Sequence, residues 1–507
     1  PLPLPLQREE SFPLVGREAE RDRLETAWAE ATSGQRRLVL LAGEPGVGKT
    51  RLAAEAARRA HTEGASVLFG RCDEGMGVPY QPVVESLGAY VRQAPAPALG
   101  RLAGELVRLV PEVAERAPGL PPPLRSDPET ERYRLFDAVA AWLSAASEAT
   151  PVVLVVDDLH WATRPTLLLL RHLVRSGEPL RLLVVATYRD TEPDLNAEVA
   201  DVVAELLRQP GVERLALAGL DEAGVAAFME ARARHELGSE GQGLARVVHA
   251  ETAGNPFFVG QVLRHLAETG AIVRRDGRWV FGPHVAEVGI PEDARDVVTR
   301  RLAHLPEETR DALTLAAVMG DRVELAVLVE AAGEAEVAVL RALDPALAAR
   351  LVTELPGPTP GYHIVHALVR ATLYEQVAAA RRAGLHRRVG EAIETVHADR
   401  LDDHLPALAH HLAQAAPRGD PAKAVAYATR AGDRALAQLA HDEAVSYYRQ
   451  ALELLELSDG AVDPAQRCDL LIAQGEAQRR AGDRAHRQTL LDAARLARDL
   501  GDADRLA

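Results

Sequence analysis

The sequence predicts a multidomain α/β plus α protein. A five-stranded parallel sheet is followed by a helical module, a smaller module with a hairpin, and carboxy-terminal α-helical repeats. Three observations carry that prediction. From Val15 to about Ala218, nearly unbroken aliphatic runs alternate with amphipathic segments, as expected for parallel strands buried on both faces and joined by helices. A glycine-rich turn, Gly43-Glu44-Pro45-Gly46-Val47-Gly48-Lys49-Thr50, separates the first such run from a helical segment. Beyond about Ala378 no strand signal remains.

Composition bounds the rest. The 507 residues exceed a single core and suggest roughly three to five domains. Ala, Leu, Arg and Glu abound and favour helix. A formal net charge of −16 offers no broad positive field for a phosphate backbone, so direct nucleic-acid binding is not expected. Basic runs such as Arg58–Arg59 and Arg381–Arg382 fall in helical patterns and read as solvated faces. Cys72 and Cys468 show no ligand or redox spacing, which suggests ordinary thiols in a reducing, cytoplasmic setting. No stretch is apolar and long enough to cross a membrane. The opening Pro-Leu-Pro-Leu-Pro-Leu reads as an extended linker rather than a signal peptide. With no initial Met and a helical pattern running to the last residue, the chain is expected to be a piece of a longer protein.

In chain order, the linker covers 1–13 and the sheet-bearing domain 14–218. Its strands are expected at 37–42, 66–70, 152–157, 181–187 and 213–217. Pro118–Pro123 is a loop, and Ser126 with Glu129 offers a capping box for a helix reaching about Ser147. A helical lid follows at 219–285, with a hairpin candidate at 272–281. Helices from Pro291 to about Ala349 and short strands at 351–355 and 362–365 suggest a winged-helix module over 286–378. Residues 379–507 carry an inexact repeat, in which Ala435–Leu455 resembles Gly475–Leu496. That pattern points to tetratricopeptide-like helix pairs with a period longer than usual; a generic helical bundle is the plainer alternative.

The chemistry is expected at the glycine-rich turn, which matches G-x-x-x-x-G-K-[ST] in the required strand–turn–helix context. Glycines let successive N–H groups face phosphates at the positive end of a helix. Gly43, Glu44, Pro45, Gly46, Val47, Gly48, Lys49, Thr50 and Arg51 are therefore assigned to nucleotide. Lys49 bridges the β- and γ-phosphates and Thr50 holds Mg²⁺. The run "PVVLVVDDLHW" (151–161) ends in an acidic pair at the carboxyl end of a buried strand, the edge where ligands bind in open α/β sheets. Asp157 is the Mg²⁺-side carboxylate and Asp158 the residue that polarises the attacking water. His160 and Trp161 fit packing better than catalysis. Arg189, just past "LLVVATY", can reach a γ-phosphate. In "GNPFF" (254–258), Pro256 could face the nucleotide base, or the turn could simply start a helix. His366 could meet a β-phosphate if its module folds back, or serve as polar surface.

With these motifs in place, the chain resembles the STAND class of signal-transduction ATPases, and within it the ATPase–tetratricopeptide portion of large bacterial regulators of the LuxR and Streptomyces-antibiotic-regulator types. The matching pieces are "LVGRE" (14–18), "GEPGVGKT", "VVLVVDDLHWA" (152–162), "ATYR" (186–189), "GNPFF" and "YHIVHALVR" (362–370). The resemblance implies contacts from Val15 and Gly16 to adenine with Arg17 nearby, and a role for His366 in holding a closed, ADP-bound form. It departs at Thr163, where the family commonly has Asp after "LHWA". The implied function is a slow regulatory ATPase using ATP/ADP and Mg²⁺, a switch with an inducer or partner protein on the repeats and possible self-association. A non-hydrolysing nucleotide-bound scaffold, or a segment attached to a nucleotide cyclase, stays open as an alternative. Direct DNA contact by the winged module is disfavoured by nearby Glu292, Asp293, Glu307 and Glu308.

Overall fold

The computed structural model describes residues 2–7, 14–94, 97–177, 180–190, 197–275, 278–281, 299, 301–303, 305–355, 359–365, 367–457 and 463–506. Within the first part lie α1 (Glu18–Thr32), β1 (Arg37–Ala42), α2 (Lys49–Thr62), β2 (Ser66–Arg71) and α3 (Gln81–Gln93). Short helices α4 (Ala103–Leu106) and α5 (Glu112–Arg116) and the long α6 (Pro128–Ala149) follow. The segment is completed by β3 (Val152–Asp157), α7 (Arg164–Arg175), β4 (Leu182–Tyr188), α8 (Ala197–Leu206) and β5 (Val212–Ala216). The five strands form one parallel sheet in the order β2-β3-β4-β1-β5.

The aliphatic runs are continuous because both faces of the sheet are covered. Leu38, Leu40, Leu154, Val156, Leu182 and Val184 belong to one apolar cluster, while Val39, Leu41, Val153, Val155, Leu183 and Val185 belong to the other. Successive side chains point to opposite faces, so a strand buried on both sides shows no alternation of polarity. Register then fixes the upper edge of the sheet: Ala42 pairs with Tyr188 and Arg71 with Asp157.

Three expected boundaries shift by a residue: β2 runs on to Arg71, β4 is displaced toward Tyr188, and β5 begins and ends one residue early. The cap of α6 is a correction. The residue that caps is Asp127, whose carboxylate accepts from the Thr130 N–H at 3.0 Å. Ser126 instead donates its N–H to Glu131 at 2.7 Å. Pro128 decides this, because its missing N–H and fixed φ suit the first helical position, leaving Asp127 as the cap.

Next come α9 (Glu222–Ala233), α10 (Ser239–Thr252) and α11 (Pro256–Glu268), which share an apolar cluster of their own built on Leu220, Val225, Phe228, Val248 and Val259. The expected hairpin forms from β6 (Ile272–Arg275) and β7 (Arg278–Phe281). Then α12 (Glu307–Met319), β8 (Arg322–Glu324), α13 (Leu325–Ala332), α14 (Glu336–Ala348), β9 (Val352–Leu355) and β10 (Gly361–Ile364) make a helical unit with an antiparallel sheet of order β8-β10-β9. Strands β9 and β10 were anticipated. At three residues, β8 is too short to show a period, and it forms only because β10 pairs with it.

The remaining elements are helical, as expected: α15 (Ala367–Glu375), α16 (Ala379–Val396), α17 (Leu405–Ala415), α18 (Pro421–Ala437), α19 (His441–Glu456), α20 (Pro464–Ala481), α21 (His486–Leu500) and α22 (Ala503–Leu506). Packing sets the register of the repeat. A Cβ on Gly432 would come 2.7 Å from the Tyr448 ring, and one on Gly475 would come 2.6 Å from Leu490. Gly432 of α18 thus matches Gly475 of α20, each letting its partner helix approach closely. This differs by three residues from the sequence alignment, which paired Ala435 with Gly475. Among the described residues no helix is long and apolar enough to cross a membrane.

Candidate functional site

The turn between β1 and α2 is held in its curl by glycine. Gly43, Gly46 and Gly48 adopt φ of +148°, +84° and +103°, a region that L side chains rarely enter. At Gly43 a Cβ would also stand 2.5 Å from the Leu217 carbonyl oxygen. Lys49, only 7% exposed, donates from Nζ to the carbonyls of Gly43 at 2.7 Å and Glu44 at 2.8 Å. Burial lowers its pKa to about 8, Asp158 opposing that fall and Arg189 adding to it.

Beside it the acidic strand end arrives. The Thr50 hydroxyl donates to Asp157 Oδ1 at 2.9 Å, and the Thr187 hydroxyl donates to the same oxygen at 2.6 Å. Thr187 in turn accepts from the Asp158 N–H at 2.9 Å, so β3, β4 and the start of α2 are tied at one point. Burial, followed by repulsion from Asp158, raises the Asp157 carboxyl above its ordinary range, with Arg71 and the two hydroxyls partly offsetting it. A threonine hydroxyl and a carboxylate at this spacing form a hard oxygen donor set, which suits Mg²⁺.

Asp158 turns away from its neighbour because it sits at φ +56°. Its Oδ2 accepts from Arg71 Nε at 3.0 Å and Nη2 at 2.6 Å. Burial alone would raise its pKa; the charge of Arg71 and the hydrogen bonds from it more than offset this and leave it below the usual value. The same Arg71 Nη2 reaches Asp321 Oδ2 at 3.0 Å, and Nη1 lies 3.2 Å from His363 Nε2. One guanidinium therefore joins the acidic strand end to β10 and to the residue just before β8. Arg189 stands just past β4, and its charge acts on Lys49, Asp158 and His160. His160, in a 3₁₀ turn over Leu159–Trp161, is buried, and neither ring nitrogen has a hydrogen-bond partner among the described residues. Burial pushes it down to about 3, so it is neutral, and its ring lies against Trp161 at 5.1 Å, in keeping with packing.

The entry segment closes one side. Arg17, 5% exposed, donates to the Val47 carbonyl at 3.3 Å and to that of Ala218. Val15 packs on the cluster of α9–α11, and Gly16 approaches Leu220 of the same cluster. From the α11 side the polar contact to the phosphate-loop turn is made by Asn255 rather than Pro256. Asn255 Nδ2 donates to the Pro45 carbonyl at 2.9 Å, and its Oδ1 caps α11 by accepting from Phe257 N–H at 3.2 Å. Pro256 has no N–H to offer and occupies the first helical position. Asn255→Ala is expected to cost about 1–2 kcal/mol through the lost cap and to speed nucleotide dissociation; urea unfolding and stopped-flow release measure the two effects.

Arg51 lies in the first turn of α2. His366 lies outside the described residues. Thr163 immediately precedes α7, its hydroxyl 3.1 Å from that of Thr166, which accepts from the Tyr80 N–H at 3.0 Å; the departure from the family pattern falls in local loop structure. Sequence reasoning missed Arg71, Asp321, His363 and Asn255. For Arg71 the available signal was a charged residue closing an otherwise apolar strand; for Asp321 there was none.

Residues 13–185 match the family model described as AAA ATPase domain. An uncharacterized protein of Rhizobium meliloti is 25% identical over 463 residues, which are 87% of this chain and 43% of that protein. The chain thus spans less than half the length of the curated relative it matches. Among solved structures, a signal transduction ATPase with numerous domains bearing a tetratricopeptide repeat sensor, from Pyrococcus horikoshii, is 14% identical. That match covers 99% of this chain and 80% of the other, with a TM-score of 0.45. The ORC2 protein of Aeropyrum pernix, in ADPNP–ADP complexes, is 15% identical over 73% of this chain and 98% of its own, with a TM-score of 0.35. The fold is of the α/β P-loop NTPase type followed by a largely helical carboxy-terminal region, and residues 13–185 carry the likeness to the AAA ATPase domain.

Proposed function

We propose that this chain is an ATP-binding and ATP-hydrolysing signalling switch of the STAND class, the regulatory ATPase segment of a larger bacterial transcription regulator. The single observation that carries the switch reading is Arg71. It pairs with Asp158, the carboxylate assigned to polarise water, and also meets Asp321 and His363 in the unit that follows. A nucleotide can shift such an equilibrium only by binding its two states with different affinity. A γ-phosphate and Mg²⁺ beside Lys49, Thr50, Asp157 and Arg189 supply that difference.

In this reading residues 14–218 form the ATPase domain, 219–285 the lid, 286–378 a winged helix and 379–507 the sensor repeats. Val15, Gly16 and Pro256 face the base. Gly43 to Arg51 hold the phosphates, and Thr50 with Asp157 would hold Mg²⁺, which supplies charge neutralisation on the β- and γ-oxygens. Asp158 takes hydrogen bonds from Arg71 until that link opens, and then orients water. The repeats are linked to the same edge of the sheet. Tyr447 donates to the Met76 carbonyl at 3.0 Å, in the loop leaving β2 directly after Arg71, and in the preceding module Arg370 pairs with Glu74 of the same loop. An inducer or partner protein on the repeats would therefore pull on that loop.

The test is sedimentation of the chain with ADP, with Mg-ATP, and with Mg-ATP in an Asp158→Ala variant, alongside phosphate release. A switch gives assembly in ATP but not ADP, prolonged when Asp158 is lost. Equal sedimentation in all three, with no turnover in the wild type, selects the non-hydrolysing scaffold instead.

A further inference from the structure

Away from the phosphate loop, α16 and α17 bring three histidines together. The ring centroids of His386, His410 and His411 are 5.1, 5.2 and 5.6 Å apart. One nitrogen from each lies within 4.8 Å of the others. His386 and His411 are each 1% exposed, and their Nδ1 atoms face each other at 2.9 Å. His410 is only partly buried, and its ring lies against the loop after β2, where a Cβ on Gly75 would come 3.4 Å from it.

Two imidazole nitrogens at that range cannot both present lone pairs: either one neutral ring donates its N–H to the other, or a metal ion lies between them. Burial, then the charges of His410 and Arg382, hold His386 down to about 3, and burial also lowers His410 and His411. A neutral ring is the form that binds metal without first losing a proton.

Geometry agrees. With metal–nitrogen bonds of about 2.0–2.1 Å, imidazoles around a tetrahedral ion place their ring centres about 5 Å apart, close to the separations found. The Nδ1 pair would part by only about half an ångström. On the far side of His386, Nε2 lies 3.0 Å from the Tyr374 hydroxyl. With Nε2 as the donor to that oxygen, Nδ1 keeps its lone pair toward His411, the usual device for orienting a metal-binding histidine. Imidazole nitrogen favours zinc, cobalt, nickel and copper over the oxygen-seeking magnesium and calcium.

We propose that His386, His410 and His411 bind one divalent transition-metal ion of the zinc class, with Tyr374 as a positioning residue. The site joins α16 and α17 at the loop after β2, and an ion there fixes the His410 ring against Gly75.

The experiment titrates the full, tag-free chain with Co²⁺ after chelator treatment and without nucleotide. One equivalent is expected to bind, with the strong visible absorption of four-coordinate cobalt, which Zn²⁺ then bleaches stoichiometrically. Cobalt at the oxygen donors Thr50 and Asp157 is six-coordinate and only weakly coloured, so Thr50→Ala leaves the spectrum intact. His410→Gln, at the partly exposed position, is expected to weaken binding at least tenfold, and Tyr374→Phe about tenfold. A folded wild-type chain with no saturable one-equivalent binding overturns the site. So does a spectrum unchanged by His410→Gln; the histidines are then a proton-sharing structural pair with a neighbour. Should His386 or His411 variants fail to fold, His410→Gln decides alone.

Discussion

Lys49→Ala is expected to lower phosphate release from Mg-ATP by about a hundredfold or more, the effect of removing a preorganised charge from a transferring phosphoryl group. In the structure that ammonium is desolvated and held by the Gly43 and Glu44 carbonyls, so it faces the inside of the turn that would enclose the phosphates. Burial has already lowered it to about 8, which makes the site pH-sensitive. Phosphates favour the protonated amine, so nucleotide affinity is full below about pH 8 and declines above it. Stability runs the other way. Between about 8 and the ordinary 10.5 the unfolded chain binds more protons than the folded one, so this group's contribution to stability rises with pH across that window. Isothermal titration at pH 7, 8 and 9 with wild type and Lys49→Arg separates the two effects. A wild-type affinity flat across that range would remove Lys49 from the phosphate contacts.

Arg71→Ala is expected to cost about 3–5 kcal/mol of stability, because removing one member of a buried ion-pair network leaves its partners uncompensated. Here those partners are Asp158 and Asp321, on separate modules and both largely buried. Burial already pushes Asp321 upward, with Arg71 the leading charge that opposes it. Without the guanidinium both carboxyls should bind protons more readily in the folded chain than in the unfolded one. Variant stability would then fall as pH rises and recover on acidification from pH 7 toward 5. Urea unfolding at the two pH values reads the sign. The same substitution should loosen residues 307–375 from the sheet, seen as faster proteolysis there, while Asp321→Asn in the Arg71→Ala background should restore part of the lost stability. A cost below about 1 kcal/mol, typical of exposed ion pairs, would strip the network of its proposed role in coupling.

The two predictions draw on features of different legibility. Lys49, Thr50 and the neighbouring glycines are contiguous, and their backbone demands are local: positive φ at Gly46 and Gly48 can be read from residue type and order alone. The acidic strand end is nearly as plain, since a buried aliphatic run stopping at two aspartates leaves them at the carboxyl edge. That Thr187 would bond both of them depended on β4 lying next to β3, which sheet order decided. Pairing likewise created β8, and the Pro128 ring moved the cap of α6 from Ser126 to Asp127.

By itself, the sequence determined the P-loop, the five sheet-forming runs and the helical tail, because glycine turns, hydrophobic continuity and helix propensity act over a few neighbouring residues. Only the tertiary structure decided that Arg71 would meet Asp321 and His363, that Asn255 would bond the phosphate-loop turn, and that His386 would face His410 and His411. Those contacts join residues far apart in the chain, where no local energy term selects a partner. Packing places them, and packing is a property of the whole fold.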